Sequence, residues 1–221
     1  MTVSAKEVQE LRKMSGAGMM ECKSALSDSG GDISQAFKLL REKGIAKAEK
    51  KSGRQAEQGT VLSYIHPGNR IGVLVEVNCE TDFVAKNDDF INFVKELSEL
   101  NNQNNSNVED LKTSKMKNGQ TVDDNLVALI AKIGEKITIG RLKTICNDKS
   151  KNFSYQHSII QDNVSKLGVI VSIESNNDQN DKLNSFGKNL AMHIAASNPI
   201  ALTSDKIQKE LIQKEQDLIS E

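Results

Sequence analysis

The sequence predicts an α+β protein: three short helices at the amino terminus, then two related halves in each of which an antiparallel hairpin is covered by a helix. Three observations carry that expectation. Apolar stripes at helical spacing, punctuated by glycines, fill residues 4–43. Ile71, Val73, Val75 and Val77 alternate with Gly72, Leu74 and Glu76, the pattern of a β-branched strand buried on at least one face. A hairpin pattern of this kind also occurs twice, and each sheet needs a helix to cover its apolar face.

Val8 and Leu11 mark the first helix, which breaks at Ser15-Gly16-Ala17-Gly18, where two glycines are free to take positive φ. Met19, Cys22 and Leu26 give the second its apolar face, and Gly30-Gly31 ends it. Both methionines do not fit easily into one small core. Met adapts readily to contact surfaces, so one of Met19 and Met20 is expected to point outward, the alternative being that both are core. Asp32 with Gln35 three residues on reads as a capping box for the third helix, whose stripe is Ile33, Ala36, Phe37 and Leu40 and which Lys43-Gly44 closes. Residues 45–58, with Lys47, Lys50, Lys51 and Arg54 and little apolar pattern, read as a solvated linker of helical tendency.

The first hairpin runs from Ser63-Tyr64-Ile65-His66 through a turn at Pro67-Gly68-Asn69 into the strand that ends near Cys79. It is echoed by Ser154-Tyr155-Gln156-His157, a longer turn, and Gly168-Val169-Ile170-Val171-Ser172-Ile173. Phe90, Phe93, Val94, Leu97 and Leu100 follow the first hairpin at helical spacing, and Leu183, Phe186, Leu190 and Ile194 follow the second. Between the halves, Asn101 to Gln120 is rich in Asn, Ser and Lys and reads as a flexible or weakly helical excursion. Leu126, Leu129, Ile130 and Ile133 form a stripe that stops at Gly134, and Ile137 to Ile145 is expected to be the strand entering the second half. The chain ends in a polar helix from Asp205 carrying Ile207, Leu211, Ile212, Leu218 and Ile219. The domains expected are 1–44, a linker 45–58, and halves at 59–145 and 146–221.

Lys plus Arg is 29 against 30 for Asp plus Glu, a formal net charge of -1, so no global field attracts nucleic acid or anionic lipid. Cys22, Cys79 and Cys146 are odd in number and far apart, which fits reduced thiols better than a disulfide framework. No signal peptide or apolar run of the ~20 residues a membrane span needs is present, and the cytoplasm is the expected compartment. No phosphate-binding glycine loop, paired-carboxylate motif or metal spacing appears, so no cofactor or metal is expected. A cysteine nucleophile would need a base within hydrogen-bond reach. Cys79 with His66 or His157 is the sole arrangement of that kind, and Cys79 ends a buried strand, so covalent catalysis is not expected.

The informative stretch is Asn78-Cys79-Glu80-Thr81-Asp82-Phe83-Val84-Ala85-Lys86-Asn87, the junction of strand and helix. Thr81 or Asp82 is suited to cap the helix. On pattern alone Phe83 is either a core residue at the top of that helix, with Asp82 only a cap, or an exposed ring beside an exposed acid. The ten residues resemble the signature of the elongation factor Ts family, exchange factors for the translational GTPase elongation factor Tu. Gly16 to Leu26 followed by Gly31-Asp32-Ile33 resembles that family's amino-terminal module, a ubiquitin-associated-like trio of helices. Val127 to Glu135 and Ala191 to Pro199 resemble further motifs of the family. The resemblance covers nearly all residues and implies a second half that is incomplete here and ends at the start of a coiled-coil helix, as expected of either a fragment or a shortened form.

The resemblance further implies that Thr81, Asp82, Phe83 and Val84 dislocate Mg²⁺ from the partner GTPase, with Phe83 as a wedge. It implies that Ile133 and Gly134 add apolar contact, that His157 presses near the phosphate loop, and that Met19, Met20 and Lys23 dock the amino-terminal module. The partner would be elongation factor Tu, GDP-bound and nucleotide-free, in an assembly that allows a homodimer or a 2:2 complex. Taken without it, Ile133 reads as core, Gly134 as a helix stop and Lys23 as a solvated charge. His66 is expected to be structural and His193 a core histidine. The rival function is an adaptor whose three-helix module binds ubiquitin-like or other peptides.

Overall fold

Ser4 begins the first helix by a reciprocal cap: its hydroxyl accepts the Glu7 N–H at 3.2 Å and the Glu7 carboxylate accepts the Ser4 N–H at 2.8 Å. The computed structural model describes residues 3–100, 107–175 and 180–220. Helices α1 (Ala5–Ser15), α2 (Met19–Asp28) and α3 (Ile33–Glu49) enclose a small core of Val8, Leu11, Cys22, Ala25, Leu26 and Ala36. Cys22, Ala25 and Leu26 lie three and four residues apart on one face of α2 and fill that core. Met19 and Met20 are therefore both left outside, at 53% and 74% exposure, where one was expected to turn in.

Helix α3 does not stop at Gly44. It runs through the first five residues of the expected linker to Glu49, because Gly44 lies where α3 crosses a later helix, α7 (Val122–Ile133). A Cβ at Gly44 would stand 3.3 Å from Cγ1 of Val127, so the absent side chain permits close approach, and here the glycine is a contact surface rather than a helix stop.

Strands β1 (Gln58–Ile65) and β2 (Ile71–Cys79) form the first hairpin, in register from Gln58↔Cys79 to Ile65↔Gly72. Beyond β2 come α4 (Asp82–Ala85), α5 (Asp88–Leu100), α6 (Val108–Thr113) and α7, then β3 (Ile137–Cys146), which pairs antiparallel with β2 and so extends the first hairpin rather than entering the second half. The second hairpin, β4 (Ser150–Gln161) and β5 (Val164–Glu174), is longer than the repeat suggested. Its strands reverse in a tight turn at Asp162 and Asn163, Asn163 taking φ of 65°, so the presumed long turn after His157 is strand. The strand order is β3-β2-β1-β5-β4. The two hairpins meet in one sheet, β1 pairing with β5 at only Val61↔Ser165 and Leu62↔Val164.

Val73, Val75, Val77 and Cys79 point from β2 into the main core, opposite Phe90, Ile91, Phe93, Val94 and Leu97 of α5 and Val122, Leu126, Leu129 and Ile130 of α7. Burial of each large apolar side chain is worth roughly 1.5–3 kcal/mol, which makes this layer the chief support of the body. The Asn-rich excursion is tied down as well. Residues 101–106 lie outside the described residues, but Leu111 and Met116 are buried in the main core, and Lys115 bridges to Thr121. Helix α8 (Asn180–Ser197) covers β4 and β5 through Gly187 and Ala191, with Gly187 against the Phe153 ring. Phe186 and His193 are exposed on it, so His193 is not the core residue expected. The chain closes with α9 (Lys209–Ser220), none of whose residues is buried. No helix among the described residues is long and apolar enough to cross a membrane.

Candidate functional site

Where β2 ends at Cys79, the chain turns through Glu80 and Thr81 into the single helical turn of α4. Thr81 is the cap: its hydroxyl oxygen accepts the Val84 N–H at 3.4 Å. The helix is not continuous with the next. It breaks at Lys86 and Asn87, and the Asn87 side chain accepts the Asp89 N–H at 2.9 Å to start α5. This break leaves four residues to divide between core and solvent. Val84 and Ala85 turn inward and are buried, while Phe83 stands out at 81% exposure. Of the two placements open for Phe83, the exposed one is found. Val84, grouped with it from the sequence, anchors the turn from behind.

Asp82 lies beside the ring and pairs with Lys86 one turn on, carboxylate to ammonium at 3.0 Å. The Lys86 hydrogen bond and charge, with a smaller contribution from Lys166 on β5, hold the Asp82 carboxyl below its ordinary range. Lys166 also donates to the Gly59 carbonyl at 3.3 Å, so the narrow seam between the hairpins brings a β5 cation to the acidic turn.

A second turn lies beside the first. Helix α7 ends on Gly134, whose φ of 86° is left-handed and whose N–H reaches the Ile130 carbonyl at 2.9 Å. Ile133 is half-buried against the main core and Gly134 is exposed. The next residue ties the turns together: the Glu135 carboxylate accepts the Thr81 N–H at 3.1 Å and the Thr81 hydroxyl at 2.8 Å. In return the Glu80 carboxylate accepts the Lys136 N–H at 2.6 Å and the Arg54 guanidinium at 3.2 Å. That Lys136 hydrogen bond is the main reason the Glu80 carboxyl is held below its usual value. Residues leading from α3 join the same knot. Lys51 donates to the Gly134 carbonyl, and Lys136 donates to the carbonyls of Ser52 at 2.7 Å and Arg54 at 2.8 Å.

Cys79 lies under the turn, its thiol donating to the Thr81 carbonyl at 3.1 Å. Burial, followed by the nearby Glu135 charge, pushes that thiol up to about 11, which keeps it protonated and unreactive near neutrality. Among the described residues no three His, Cys, Asp or Glu side chains gather as a metal site would require.

The other residues singled out from the sequence are distributed over the surface. His157 is exposed on β4, opposite Leu167 of β5, with its Nδ1 3.1 Å from the Tyr155 hydroxyl. His66, at the matching place in the first hairpin, is half-buried, its ring edge-on to Tyr64 at 4.8 Å, and its Nε2 is buried without a hydrogen-bond partner among the described residues. Met19, Met20 and Lys23 are exposed on α2. Met20 also borders a groove of about 550 Å³ between the amino-terminal helices and α7, lined by Phe37, Leu40, Gly44, Val127 and Ala131. The structure thus joins Phe83 and Asp82 to Ile133 and Gly134. It leaves Met19, Met20 and Lys23 on a separate module, and His157 on the other hairpin. Glu80, Glu135, Lys136 and Lys166 were not foreseen as part of the site.

A family model described as Elongation factor TS matches residues 80–221. Curated proteins named Elongation factor Ts are similar along almost all of the sequence. That of Methylobacterium nodulans is 41% identical over 220 residues, 99% of this chain and 71% of its own length. That of Methylococcus capsulatus is 38% identical over 221 residues, 100% of this chain and 71% of its own. For Clostridium kluyveri the identity is 40% over 219 residues, 98% of this chain and 70% of the relative.

Proposed function

Since this chain belongs to the elongation factor Ts family, we propose that it is the nucleotide exchange factor for elongation factor Tu in translation elongation, and that it works by wedging Phe83 into the GTPase. A GTPase holds GDP through its phosphate loop and Mg²⁺. A factor that binds the nucleotide-free form more tightly weakens nucleotide binding by the same coupling free energy. The chain therefore needs no covalent chemistry of its own, and the buried, protonated Cys79 thiol fits that economy.

The observation that carries this reading is an aromatic ring 81% exposed at the tip of a turn whose next two residues are locked in the core. An exposed Phe on a rigid base gains roughly 1.5–3 kcal/mol when a partner buries it, and the gain is available only in the conformation that opens a pocket for it. In this reading Phe83, with ionised Asp82 beside it, presses on helices near the Mg²⁺ site of elongation factor Tu and disturbs the hydrogen bonds that orient the metal's ligands. Loss of such outer contacts weakens a metal site even when its ligands remain. Ile133 and Gly134 extend the apolar contact, His157 meets the phosphate-loop side, and Met19, Met20 and Lys23 supply docking area from the amino-terminal module. An adaptor role for that module would account for the exposed methionines and leave Phe83 without a purpose. The test is whether the chain accelerates release of GDP from elongation factor Tu. An adaptor would leave the release rate unchanged.

A further inference from the structure

We propose that Glu135 is a positioning residue for exchange: through Thr81 it fixes the direction in which Phe83 projects, and the spacing between Phe83 and the Ile133–Gly134 turn. This rests on the wedge reading above and deepens it. The need for such a residue follows from the size of α4. Four residues make a single turn, too short to hold itself, since an isolated helix of that length is not stable in water. Its own cap is long, at 3.4 Å from the Thr81 hydroxyl to the Val84 N–H. Phe83, being exposed, has little intramolecular packing to orient it. What holds the entrance to the turn comes from elsewhere in the chain.

Glu135 supplies it with two acceptors on one carboxylate, 3.1 Å from the Thr81 N–H and 2.8 Å from the Thr81 hydroxyl. Hydrogen bonds to an ionised group are shorter and stronger than neutral ones. The Thr81 hydroxyl, by donating to Glu135, is rotated so that its lone pairs face the Val84 N–H, and a single side chain thereby serves both as cap and as anchor point. The reciprocal bond from the Lys136 N–H to Glu80, at 2.6 Å, closes a ring that crosses between the two turns twice. Cys79 adds a third tie at the Thr81 carbonyl. The donors and acceptors of Thr81 are thus all engaged within the chain.

A ring of this kind acts by population. If the turn samples several directions once Glu135 is lost, only a fraction of bound molecules present Phe83 correctly, and the rate of nucleotide release from the complex falls by that fraction. Docking through Met19, Met20 and Lys23 on the separate module should be little affected. Loss of positioning therefore lowers the maximal rate at saturating factor and changes the half-saturating concentration little.

The experiment is stopped-flow release of a fluorescent GDP analogue from elongation factor Tu, over a range of factor concentrations, for Glu135→Ala, Glu135→Gln, Phe83→Ala and the Glu135→Ala/Phe83→Ala double variant, each checked by thermal melt. Glu135→Ala is expected to lower the maximal rate about three- to tenfold, within the usual range of couplings between contacting residues. Glu135→Gln, which keeps one oxygen for the Thr81 hydroxyl, should recover part of that loss. In the Phe83→Ala background Glu135→Ala should cost less than about twofold more, because the group it orients is gone. Should Glu135→Ala fail to fold, Glu135→Gln and Thr81→Val carry the same cycle. A slow Phe83→Ala beside a Glu135→Ala at wild-type rate, or two losses that simply multiply, would overturn the positioning role and leave the wedge standing. Phe83→Ala at wild-type rate would overturn the wedge, and with it the route by which Glu135 acts.

Discussion

Asp82 and Lys86 face each other across one turn, carboxylate to ammonium at 3.0 Å, so the acid of the exposed turn is partnered within its own chain before any other protein approaches. The folded carboxyl lies below its ordinary value, chiefly through the Lys86 hydrogen bond. Its contribution to the turn is therefore complete above the unfolded value of about 3.9 and is lost only as pH falls through the lower folded value. Between pH 5 and 8 the charge of Asp82 does not change, and exchange rates over that window should show no titration from it. Asp82→Ala should slow exchange only about two- to threefold, the scale of an exposed ion pair. Measured release rates at saturating factor check both expectations.

Gly44 gives a second test. A larger side chain there meets Val127, at 3.3 Å from the first added carbon, and pries α3 from α7. Gly44→Leu should cost about 1–3 kcal/mol of stability, as overpacking generally does, and should raise the half-saturating factor concentration more than it lowers the maximal rate. Denaturant melts and the concentration dependence of GDP release distinguish the two effects.

The paired histidines should behave differently despite their matching places in the hairpins. His157→Ala removes an exposed side chain, so the fold should be unaffected while exchange slows by about a factor of three or more, a loss of well over half a kcal/mol in the transition state. His66→Ala removes a half-buried ring packed on Tyr64, so the melting temperature should fall while the folded protein exchanges normally. Melts and stopped-flow rates on both variants decide it.

Away from the site, Glu76 accepts the Arg141 guanidinium at 2.8 Å and the Arg141 N–H at 3.2 Å, and the guanidinium is the main cause of a carboxyl held below its usual value. A depressed carboxyl stabilises the fold above its unfolded value of about 4.3 and ceases to do so as pH falls through the folded one. Glu76→Gln should thus cost up to about 1 kcal/mol at pH 7, the Arg141 side of the pair being solvated, and less at about pH 3. Urea unfolding of both proteins at the two pH values gives the comparison.

The main elements were legible because their signals are local. Alternating β-branched residues marked β2, and Phe90, Phe93, Val94 and Leu97 marked α5. The cap was legible as Thr81 or Asp82, and it is Thr81. The side to which Phe83 turns was not, since α4 has one turn and so no period, and either Phe83 or Val84 satisfies the pattern. Gly44 has the local appearance of a stop, and only the distant Val127 and Ala131 show that it is a crossing point. Glu135 was invisible as a partner for a stronger reason: it lies 54 residues from Thr81, and two turns meeting in space leave no spacing to read. One of Met19 and Met20 was expected outside and both are, because the small core was already filled by Cys22, Ala25 and Leu26.

The central claim is that Phe83 drives nucleotide release from elongation factor Tu rather than merely adding contact area. The direct measurement is the maximal rate of GDP release at saturating Phe83→Ala, beside the dissociation constant of the same variant for nucleotide-free elongation factor Tu. The account predicts a maximal rate lower by about tenfold or more, some 1.4 kcal/mol of lost transition-state stabilisation, with the dissociation constant changed by less than about threefold. A folded Phe83→Ala protein with wild-type maximal rate would contradict it.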